Sequence, residues 1–432
     1  MAAVATGPNI TVLGLWHLGC VTAASCAQHF PVTGLDFDAA NLARLNSGHA
    51  PLAEPGLDEL IAAGLAAGRL RFTSDIPDAC RAADILWVTY DTPVDDQAQA
   101  DPEHVLREVR RCVPALPPGA LVLLSSQLPV GTCRRLESEF AATGCRFACS
   151  PENLRLGHAL QVFNHADRII AGGRDERTRA QLSALFAPFT REVVWMRPES
   201  AEMTKHAINS FLALSITFMN EVARLCEATG ADAKEVERGL KSESRIGPKA
   251  YLSPGGAFAG GTLARDVVTL TGLGQKYGET LEVIPAIKRS NDRHRSWAAA
   301  KLVQLFAGES GRRVALLGLT YKPGTSTLRR SSAVELARAL AAGGFEVRAC
   351  DPSAPPLPPD LAFIQFHPTA AAALDGADAV VVCTEWPQFR SLDWPALLPR
   401  LRRPLVIDAT RFLEKALAGQ PGLHYITVGS PA

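Results

Sequence analysis

The sequence has no excess of charge of either sign. Lys and Arg together number 44, and Asp and Glu also number 44, so the formal net charge is zero. A chain without a net field has no long-range attraction for nucleic acid or for an anionic membrane surface. We therefore expect neither partner, although this balance leaves room for a local basic pocket that binds phosphate. The expected partner is a small molecule.

Paired cysteines and long apolar runs are also missing. The ten cysteines are scattered without a C-x-x-C pair, and no Cys and His cluster has the spacing of a metal site. This usage predicts reduced thiols that pack as small apolar residues, and no bound metal. No apolar run approaches about 18 residues, and residues 1–8 lack the pattern of a signal peptide. The sequence therefore predicts a cytoplasmic protein of about two or three domains.

The first forty residues have the pattern of a dinucleotide-binding βαβ unit. A short apolar run, Ile10–Leu13, meets Gly14, a helical segment follows at Leu18–Gln28, and a second apolar run, Val32–Leu35, ends at Asp36. In such a unit the helix N-terminus binds a pyrophosphate, and the acidic residue binds the ribose hydroxyls. The position of Asp36 favours NAD over NADP.

The turn of this unit departs from the usual G-x-G-x-x-G pattern at one position. In Gly14-Leu-Trp-His-Leu-Gly19, Trp16 stands where the middle glycine normally lets the backbone approach the pyrophosphate. Two interpretations stay open at this stage. Either NAD binds in spite of Trp16, as Asp36 indicates, or the fold has lost its dinucleotide.

Similar strands recur along the chain and predict two parallel, doubly wound sheets. In the first half the further strands are Ile85–Thr89, Leu121–Ser125, Arg146–Cys149 and Arg168–Ala171, with a helix at Pro102–Cys112. A second α/β region begins near Arg312, with strands at Val314–Leu319, Glu346–Asp351, Ala379–Cys383 and Leu405–Asp408. Its opening segment, Val314–Leu319, resembles Thr11–Leu15.

A long segment without Pro or Gly, Ser200–Thr229, separates these two regions. Apolar residues recur along it near the helical period, at Met203, Ala207, Phe211, Leu214, Phe218, Val222 and Leu225. A helix of this length spans about 45 Å, so we expect it to link two lobes. Its apolar stripe indicates either core packing or a dimer face.

The predicted fold class is thus α/β, with two doubly wound Rossmann-like domains joined by a long central helix. We expect an N-terminal NAD-binding domain at 1–195, a central helical domain at 196–305 and a C-terminal nucleotide-sugar-binding domain at 306–432.

Short motifs spread over nearly the whole chain form one ordered pattern. They are Leu45–Leu57, Pro129–Thr132, Ser150–Arg155, Glu202–Asn209, Asn220–Glu221, Arg245–Gly247, Pro254–Asp266, Gly318–Thr325, Arg329 with Ser331, and Thr384–Trp386. In this order they resemble the motifs of the UDP-glucose/GDP-mannose dehydrogenase family. The resemblance implies NAD as cofactor, a nucleotide sugar as substrate, an active site between the two lobes and a homodimer formed through the central helix.

The resemblance also assigns roles to individual positions. The implied cofactor-binding residues are Gly14, Trp16, His17, Leu18, Gly19, Asp36, Thr92, Gln127 and Arg329. The implied substrate-binding residues are Glu152, Asn153, Leu154, Arg245, Tyr251, Gly255, Phe258, Gly261 and Lys322. The implied catalytic residues are Lys205, Asn209, Thr262 and Asp266. Lys322 and Arg329 would supply the cations that a diphosphate needs, although either can be ordinary surface charge.

Three departures from the family pattern concern a single chemical step. Family members trap an aldehyde on a Cys and hydrolyse the resulting thioester with a water held by a Thr and a Glu. The matching residues here are Thr262, Gln127 and Leu156. A thiol ionises in part at neutral pH, whereas a Thr hydroxyl is a poor nucleophile without a dedicated base. The thioester route is therefore expected to be absent.

The retained residues suit the transfer of one hydride. Lys205 could act as a base or stabilise an oxyanion, Asn209 could donate to the reacting oxygen, and Asp266 could hold Lys205 or a water. The alternatives are a solvated helix face for the first two and a helix cap for Asp266. The favoured function is an NAD-dependent oxidoreductase that stops after one hydride. The rivals are a four-electron 6-dehydrogenase that makes a uronate without Cys, and a non-catalytic sugar-nucleotide binder.

Overall fold

The computed structural model describes residues 7–95, 98–152 and 154–431. The chain divides into two compact units, Met1–Asp95 with Gln99–Ile208, and Asp96–Ala98 with Asn209–Ala432. Each unit is built around one sheet whose strands are the short apolar runs seen in the sequence. Within the described residues, no helix is both long and apolar enough to cross a membrane.

The sheet of the first unit has a doubly wound strand order. Its strands are β1 Ile10–Leu13, β2 Val32–Leu35, β3 Leu70–Thr73, β4 Ile85–Val88, β5 Leu121–Leu124, β6 Arg146–Cys149, β7 Ile169–Gly172 and β8 Val193–Met196. They pair in the order β3-β2-β1-β4-β5-β6-β7-β8. The central strands β1, β4 and β5 are fully buried, as expected when helices cover both faces of a sheet.

Two strands of this sheet, β7 and β8, run against the expected direction. The prediction of a wholly parallel sheet is wrong at β7, which pairs antiparallel with β6 through Cys149 and Gly172. A parallel crossover needs a helix that carries the chain back along the full strand. The helix between these strands, α7 Ala159–Asn164, has 6 residues and is about 9 Å long, which is too short for that return.

The helices of the first unit cover both faces of its sheet. They are α1 His17–Cys26, α2 Ala39–Asn46, α3 Leu57–Ala66, α4 Ile76–Cys80, α5 Pro102–Cys112, α6 Thr132–Glu139, α7 and α8 Glu176–Phe186. Helix α1 is buried from Leu18 to Cys26, because its small side chains let it lie close to the sheet. This burial places the start of α1 firmly against the end of β1.

Helix α9, Pro198–Thr229, is the predicted long helix. It has 32 residues and is about 48 Å long. It begins in the first unit and ends in the second. The prediction of a long helix that joins the two α/β regions is confirmed.

The second unit contains the remaining elements. Its helices are α10 Ala233–Ser242, α11 Thr262–Tyr277, α12 Val283–Arg295, α13 Trp297–Leu305, α14 Ser332–Ala342, α15 Ala370–Leu374, α16 Pro387–Arg390 and α17 Trp394–Leu397. Its strands are β9 Arg313–Leu317, β10 Glu346–Cys350, β11 Gln365–Phe366, β12 Ala379–Val382, β13 Leu405–Asp408 and β14 His424–Ile426. They form a parallel sheet in the order β11-β10-β9-β12-β13-β14, so the predicted fold class is confirmed.

Two buried threonines of the first unit differ in whether their hydroxyl groups make a hydrogen bond. The hydroxyl of Thr11 donates to the carbonyl oxygen of Ala79 at 2.6 Å. Thr22 in α1 is completely buried, and its Oγ1 has no hydrogen-bond partner among the described residues. A buried hydroxyl without a partner loses its bonds to water and gains nothing in return.

We therefore expect Thr22→Val to raise the free energy of unfolding by about 1 kcal/mol, because the change removes an unsatisfied hydroxyl and keeps the shape of the side chain. The matched change Thr11→Val should lower the free energy of unfolding by about 1 kcal/mol, because it breaks a satisfied hydrogen bond. Urea unfolding followed by circular dichroism measures both. A destabilised Thr22→Val variant would contradict this reading.

Candidate active site

The turn between β1 and α1 requires glycine at two positions. Gly14 has φ +93°, and a Cβ at this residue would lie 2.7 Å from the Tyr90 ring. A Cβ on Gly19 would collide with the carbonyl oxygen of Gly14, so Gly19 allows α1 to pack on the turn. Trp16 has φ −90°, which any residue adopts without strain, and its side chain is 48% exposed. The turn thus keeps its shape although the middle glycine is gone.

A buried carboxylate at the end of β2 holds this turn. Asp36 Oδ2 accepts a hydrogen bond from the Leu15 N–H at 2.6 Å, and its Oδ1 accepts from the Phe37 and Asp38 N–H groups at 2.7 and 3.0 Å. On the other side, Asn41 Nδ2 donates to the Leu15 carbonyl at 2.7 Å. An ionised carboxylate has about four acceptor positions, so Asp36 keeps one for a further donor such as a ribose hydroxyl.

The start of α1 fits a phosphate group. No side chain of the described residues caps this end of the helix, so the N–H groups of its first turn point outward. Free N–H groups and the positive end of the helix dipole are the usual partners of a pyrophosphate. Together with Asp36, which accepts a hydrogen bond from the Leu15 N–H of this turn, these residues suit a dinucleotide.

The side chain of the neighbouring His17 contacts a buried carboxylate of the first unit. Its Nε2 lies 2.9 Å from Oε2 of the buried Glu54. The Glu54 carboxylate also accepts from the N–H groups of Gly157 and Ala159, each at 2.8 Å. Burial tends to raise the pKa of Glu54, but these donors hold it below its usual value. Sequence reasoning missed Glu54, which ties the β1–α1 turn to the loop after β6.

Two other expected cofactor residues are joined to each other. Thr92 Oγ1 donates to the Gln127 carbonyl oxygen at 2.7 Å. The Gln127 side-chain amide lies 3.0 Å from Nδ1 of His206, whose Nε2 lies 3.1 Å from the Leu128 carbonyl. These contacts are satisfied together when His206 is neutral with its proton on Nε2. Of the expected cofactor residues, Leu18 is buried in α1, and Arg329 is exposed in the loop between β9 and α14.

Lys205 is a buried lysine on α9. Its side chain is 8% exposed, and its Nζ donates to the carbonyl oxygen of Glu152 at 2.5 Å. One turn earlier, the buried Glu202 accepts from the N–H groups of Gly131 and Cys133 at 2.5 and 2.9 Å. Burial raises the pKa of Glu202, although both donors act in the opposite direction. A buried lysine held by a backbone oxygen is a fixed cation or base, not a solvated surface charge.

Asn209 and Asp266 lie together in the second unit. Asn209 Nδ2 donates to Asp266 Oδ2, and the Nε of Arg265 lies 3.3 Å from Asp266 Oδ1. Asp266 is completely buried within α11, beyond its first turn, so it does not cap that helix. The arrangement fixes the Asn209 amide in one orientation. Such a fixed amide can donate to a developing oxyanion.

Thr262 is the first residue of α11, directly after Gly261. It is exposed, and within the described residues its hydroxyl makes no hydrogen bond. A hydroxyl becomes a useful nucleophile when an adjacent base takes its proton. The described residues provide no such base at Thr262.

Buried polar side chains from α9 and α12 hold the glycine-rich loop that leads to Thr262. Asn220 accepts from the Gly255 N–H at 3.0 Å, and Asn291 bonds both the N–H and the carbonyl of Phe258, each at 2.9 Å. His294 Nε2 lies 2.8 Å from the Gly255 carbonyl oxygen. Sequence reasoning missed Asn291 and His294. Their spacing of one helical turn on α12 was the available signal.

The other expected substrate residues are spread over both units. Glu152 and Leu154 lie in the loop after β6, and Leu154 packs against the core of the first unit. Asn153 lies outside the described residues. In the second unit, the Arg245 side chain is 87% exposed and Tyr251 is 59% exposed, and Lys322 is partly buried.

Comparison with known proteins identifies the family of this chain. Three models of the UDP-glucose/GDP-mannose dehydrogenase family match it: the NAD binding domain at residues 8–190, the central domain at 199–293 and the UDP binding domain at 315–415. The chain therefore belongs to the UDP-glucose/GDP-mannose dehydrogenase family. The predictions of an NAD cofactor and of an oxidoreductase of the nucleotide-sugar dehydrogenase kind are confirmed.

Individual relatives are similar over almost their full lengths. The UDP-glucose 6-dehydrogenase of Pseudomonas aeruginosa is 34% identical, with 98% of each chain covered. That of Rhizobium meliloti is 32% identical over 98% of this chain and 100% of its own. Among solved structures, a UDP-glucose dehydrogenase from the archaeon Pyrobaculum islandicum is 31% identical, with a TM-score of 0.86 over 100% of this chain and 99% of its own.

The buried His294 leads to a prediction about pH. Burial, with help from the nearby Arg224, lowers the pKa of His294 below its ordinary value. Below about pH 6.5 the unfolded chain therefore binds a proton that the folded chain does not, so the free energy of unfolding falls as the pH falls.

We expect the wild-type protein to lose more stability than His294→Gln between about pH 7.5 and about pH 5.5, measured by urea unfolding. His158→Gln is the matched control, because His158 is exposed. This control should keep the wild-type dependence on pH. If the free energy of unfolding changed equally with pH in the wild type and in His294→Gln, the prediction would be wrong.

Proposed function

We propose that the protein oxidises a nucleotide sugar with NAD, removes a single hydride and releases an aldehyde or keto sugar. In this reaction the carbon loses a hydride, its hydroxyl loses a proton to a base, and the C–O bond becomes C=O. Two electrons leave the sugar, and no covalent bond to the protein forms. The proposal differs from a full 6-dehydrogenase reaction in the step after the aldehyde.

The observation that carries the proposal is the state of Thr262. Its hydroxyl is exposed at the start of α11, without a hydrogen-bonded base in the described residues. An unactivated hydroxyl does not attack an aldehyde efficiently, and an oxygen ester would offer no thioester chemistry. A second oxidation by covalent catalysis therefore lacks its nucleophile.

The other two altered positions support the same conclusion. The Gln127 amide is occupied by His206 at 3.0 Å and so is turned away from holding a water for hydrolysis. Leu156 is 41% exposed and apolar, and it cannot act as a base. The family's nucleophile, its water-holding hydroxyl and its carboxylate are thus all replaced. The residues in their places cannot form a thioester or hydrolyse one.

The retained groups support transfer of the first hydride. The β1–α1 turn and Asp36 would hold NAD, which would supply the hydride acceptor. Lys205 and Asn209 stand one turn apart on α9, and each is fixed, Lys205 by the Glu152 carbonyl and Asn209 by Asp266. Fixed donors of this kind stabilise negative charge that develops on the reacting oxygen. We assign the substrate to the uridine nucleotides, since the second unit matches the UDP binding domain, and UDP-glucose is the first to test.

The homodimer belongs to the proposal as well. Phe211, Phe218 and Leu225 recur every seventh residue on α9 and are 67%, 47% and 66% exposed. An apolar stripe at this spacing suits a second helix of the same kind. We assign it to a second copy of this chain.

The number of NADH molecules formed per sugar tests the main proposal. With UDP-glucose and NAD, we expect one NADH per oxidised sugar and an aldehyde or ketone product by mass spectrometry. Two NADH per uronate would establish a four-electron reaction without Cys. Binding of the sugar nucleotide without formation of NADH would indicate a non-catalytic binding protein. Either of these two outcomes would overturn the proposal.

Lys205→Ala should lower kcat by about 100-fold or more with little change in KM. The reason is that the contact between Lys205 and the reacting oxygen strengthens as negative charge develops in the transition state. Lys322→Ala is the matched comparison and should raise KM with kcat nearly unchanged. Steady-state kinetics on the substrate identified above measures both. If Lys205→Ala keeps near-normal kcat, its assignment to catalysis is wrong.

Phe218→Glu should convert the dimer into a monomer, because a buried carboxylate in the middle of an apolar interface is costly. Sedimentation velocity measures the change. Arg238→Glu is the control, since its side chain is 79% exposed on α10, and it should leave the mass unchanged. A wild-type monomer at micromolar concentration would contradict the dimer.

A further inference from the structure

The turn between β1 and α1 carries one titratable side chain and no fixed cation. In Gly14-Leu-Trp-His-Leu-Gly19 the only ionisable residue is His17, the first residue of α1. The first unit matches the NAD binding domain of the family, and in such domains the diphosphate of NAD binds at this end of the helix. Within this turn, a positive side-chain charge for the diphosphate can come only from His17.

The contact between His17 and Glu54 fixes which ring nitrogen carries a proton. His17 Nε2 lies 2.9 Å from Oε2 of Glu54. Although burial acts to raise the pKa of Glu54, the N–H groups of Gly157 and Ala159 help to lower it, so the carboxylate is ionised. An ionised carboxylate only accepts hydrogen bonds. The proton of neutral His17 is therefore on Nε2.

The other ring nitrogen is free to take a second proton. Within the described residues, Nδ1 of His17 makes no hydrogen bond, and it is not one of the buried polar atoms without a partner, so it is open to solvent. Protonation at Nδ1 leaves the bond from Nε2 to Glu54 in place and adds one positive charge and one donor. The ring can thus gain a proton without losing a contact.

The charged groups that the structure shows around the start of α1 are carboxylates. Glu54 contacts the ring directly. Helices α3 and α7 pack against α1; α7 contains no charged residue, and Glu59 of α3 is exposed. Burial, followed by the charges of Asp36 and Asp58, raises the pKa of the Cys20 thiol on α1, so this thiol stays neutral. Carboxylates are ionised above about pH 6, so the imidazole is the group of this cluster that changes charge near neutral pH.

We propose that NAD binding takes up one proton at Nδ1 of His17, and that the imidazolium paired with Glu54 balances the charge of the diphosphate. An anion held by the N–H groups of a helix's first turn favours the charged form of an imidazole in that turn. The solvent supplies the proton, and one N–H bond forms on the ring. The proposal concerns cofactor binding alone, so it holds whether the enzyme removes one hydride or two.

Proton uptake fixes the direction of the pH effect. A complex that holds more protons than its separate parts binds more tightly as the pH falls. The dissociation constant for NAD should therefore rise about threefold or more between pH 7 and pH 8.

Isothermal titration calorimetry of NAD into the full chain, in HEPES and in Tris at pH 7.5, counts the protons. The binding enthalpy should differ between the two buffers by an amount that corresponds to about half a proton to one proton taken up per NAD. ADP-ribose has the diphosphate but no nicotinamide, and it should take up as many protons as NAD.

His17→Gln tests the assignment to this ring. Gln keeps an N–H donor for Glu54 but cannot become charged, so the variant should bind NAD without proton uptake and with an affinity independent of pH. His158→Gln is the matched control. His158 is exposed next to Gly157, whose N–H Glu54 binds, and its replacement should leave the proton uptake unchanged.

Four results would overturn the proposal. They are equal NAD binding enthalpies in both buffers for the wild type, proton uptake that persists in His17→Gln, uptake with NAD but not with ADP-ribose, and no NAD binding at millimolar concentration. The pH series on the wild type needs no variant, so it decides the question even if His17→Gln does not fold. An unchanged dissociation constant between pH 7 and pH 8 would show that no proton is taken up.

Discussion

A buried carboxylate that grips the backbone after the first strand is the interaction on which both units depend. Asp36 accepts from the Leu15 N–H at 2.6 Å, and Asp351 accepts from the Leu319 N–H at 2.7 Å in the second sheet. Burial tends to raise the pKa of Asp351, but the N–H groups of Thr320 and Leu319 lower it, so the anion is stable there. In each sheet this contact fixes the edge at which ligands of doubly wound folds bind.

The two units use this shared contact differently. Asp36 keeps an acceptor position for a ligand, whereas Asp351 also receives the Thr320 N–H and hydroxyl, the Trp386 indole and the Ser353 N–H. The second carboxylate is therefore saturated by its own unit. The same local contact thus leaves an acceptor position open in the first unit and is a structural anchor in the second.

The sequence allowed much of the fold to be predicted, because strands and helices follow from local periodicity. The bounds of β1, β2 and α5 are those expected, and α9 extends the predicted helix by two residues at its start. Long-range contacts carry no such local signal. The antiparallel pairing of β7, and the bonds from Asn291 and His294 to the glycine-rich loop, join residues far apart in the chain. The family resemblance supplied the expected site residues, but it could not show that the Gln127 side chain contacts His206.

The exposure of Thr262 has a practical consequence when set beside the cysteines. All ten native thiols are free, and eight of them are buried; Cys145 and Cys383 are partly so. Burial raises the pKa of the Cys383 thiol to about 12, which makes it a sluggish nucleophile at neutral pH. A thiol introduced at position 262 would be exposed at a helix N-terminus, where the dipole favours the thiolate. That position is a natural attachment point for a fluorescent reporter, one that would register ligands entering beside the glycine-rich loop.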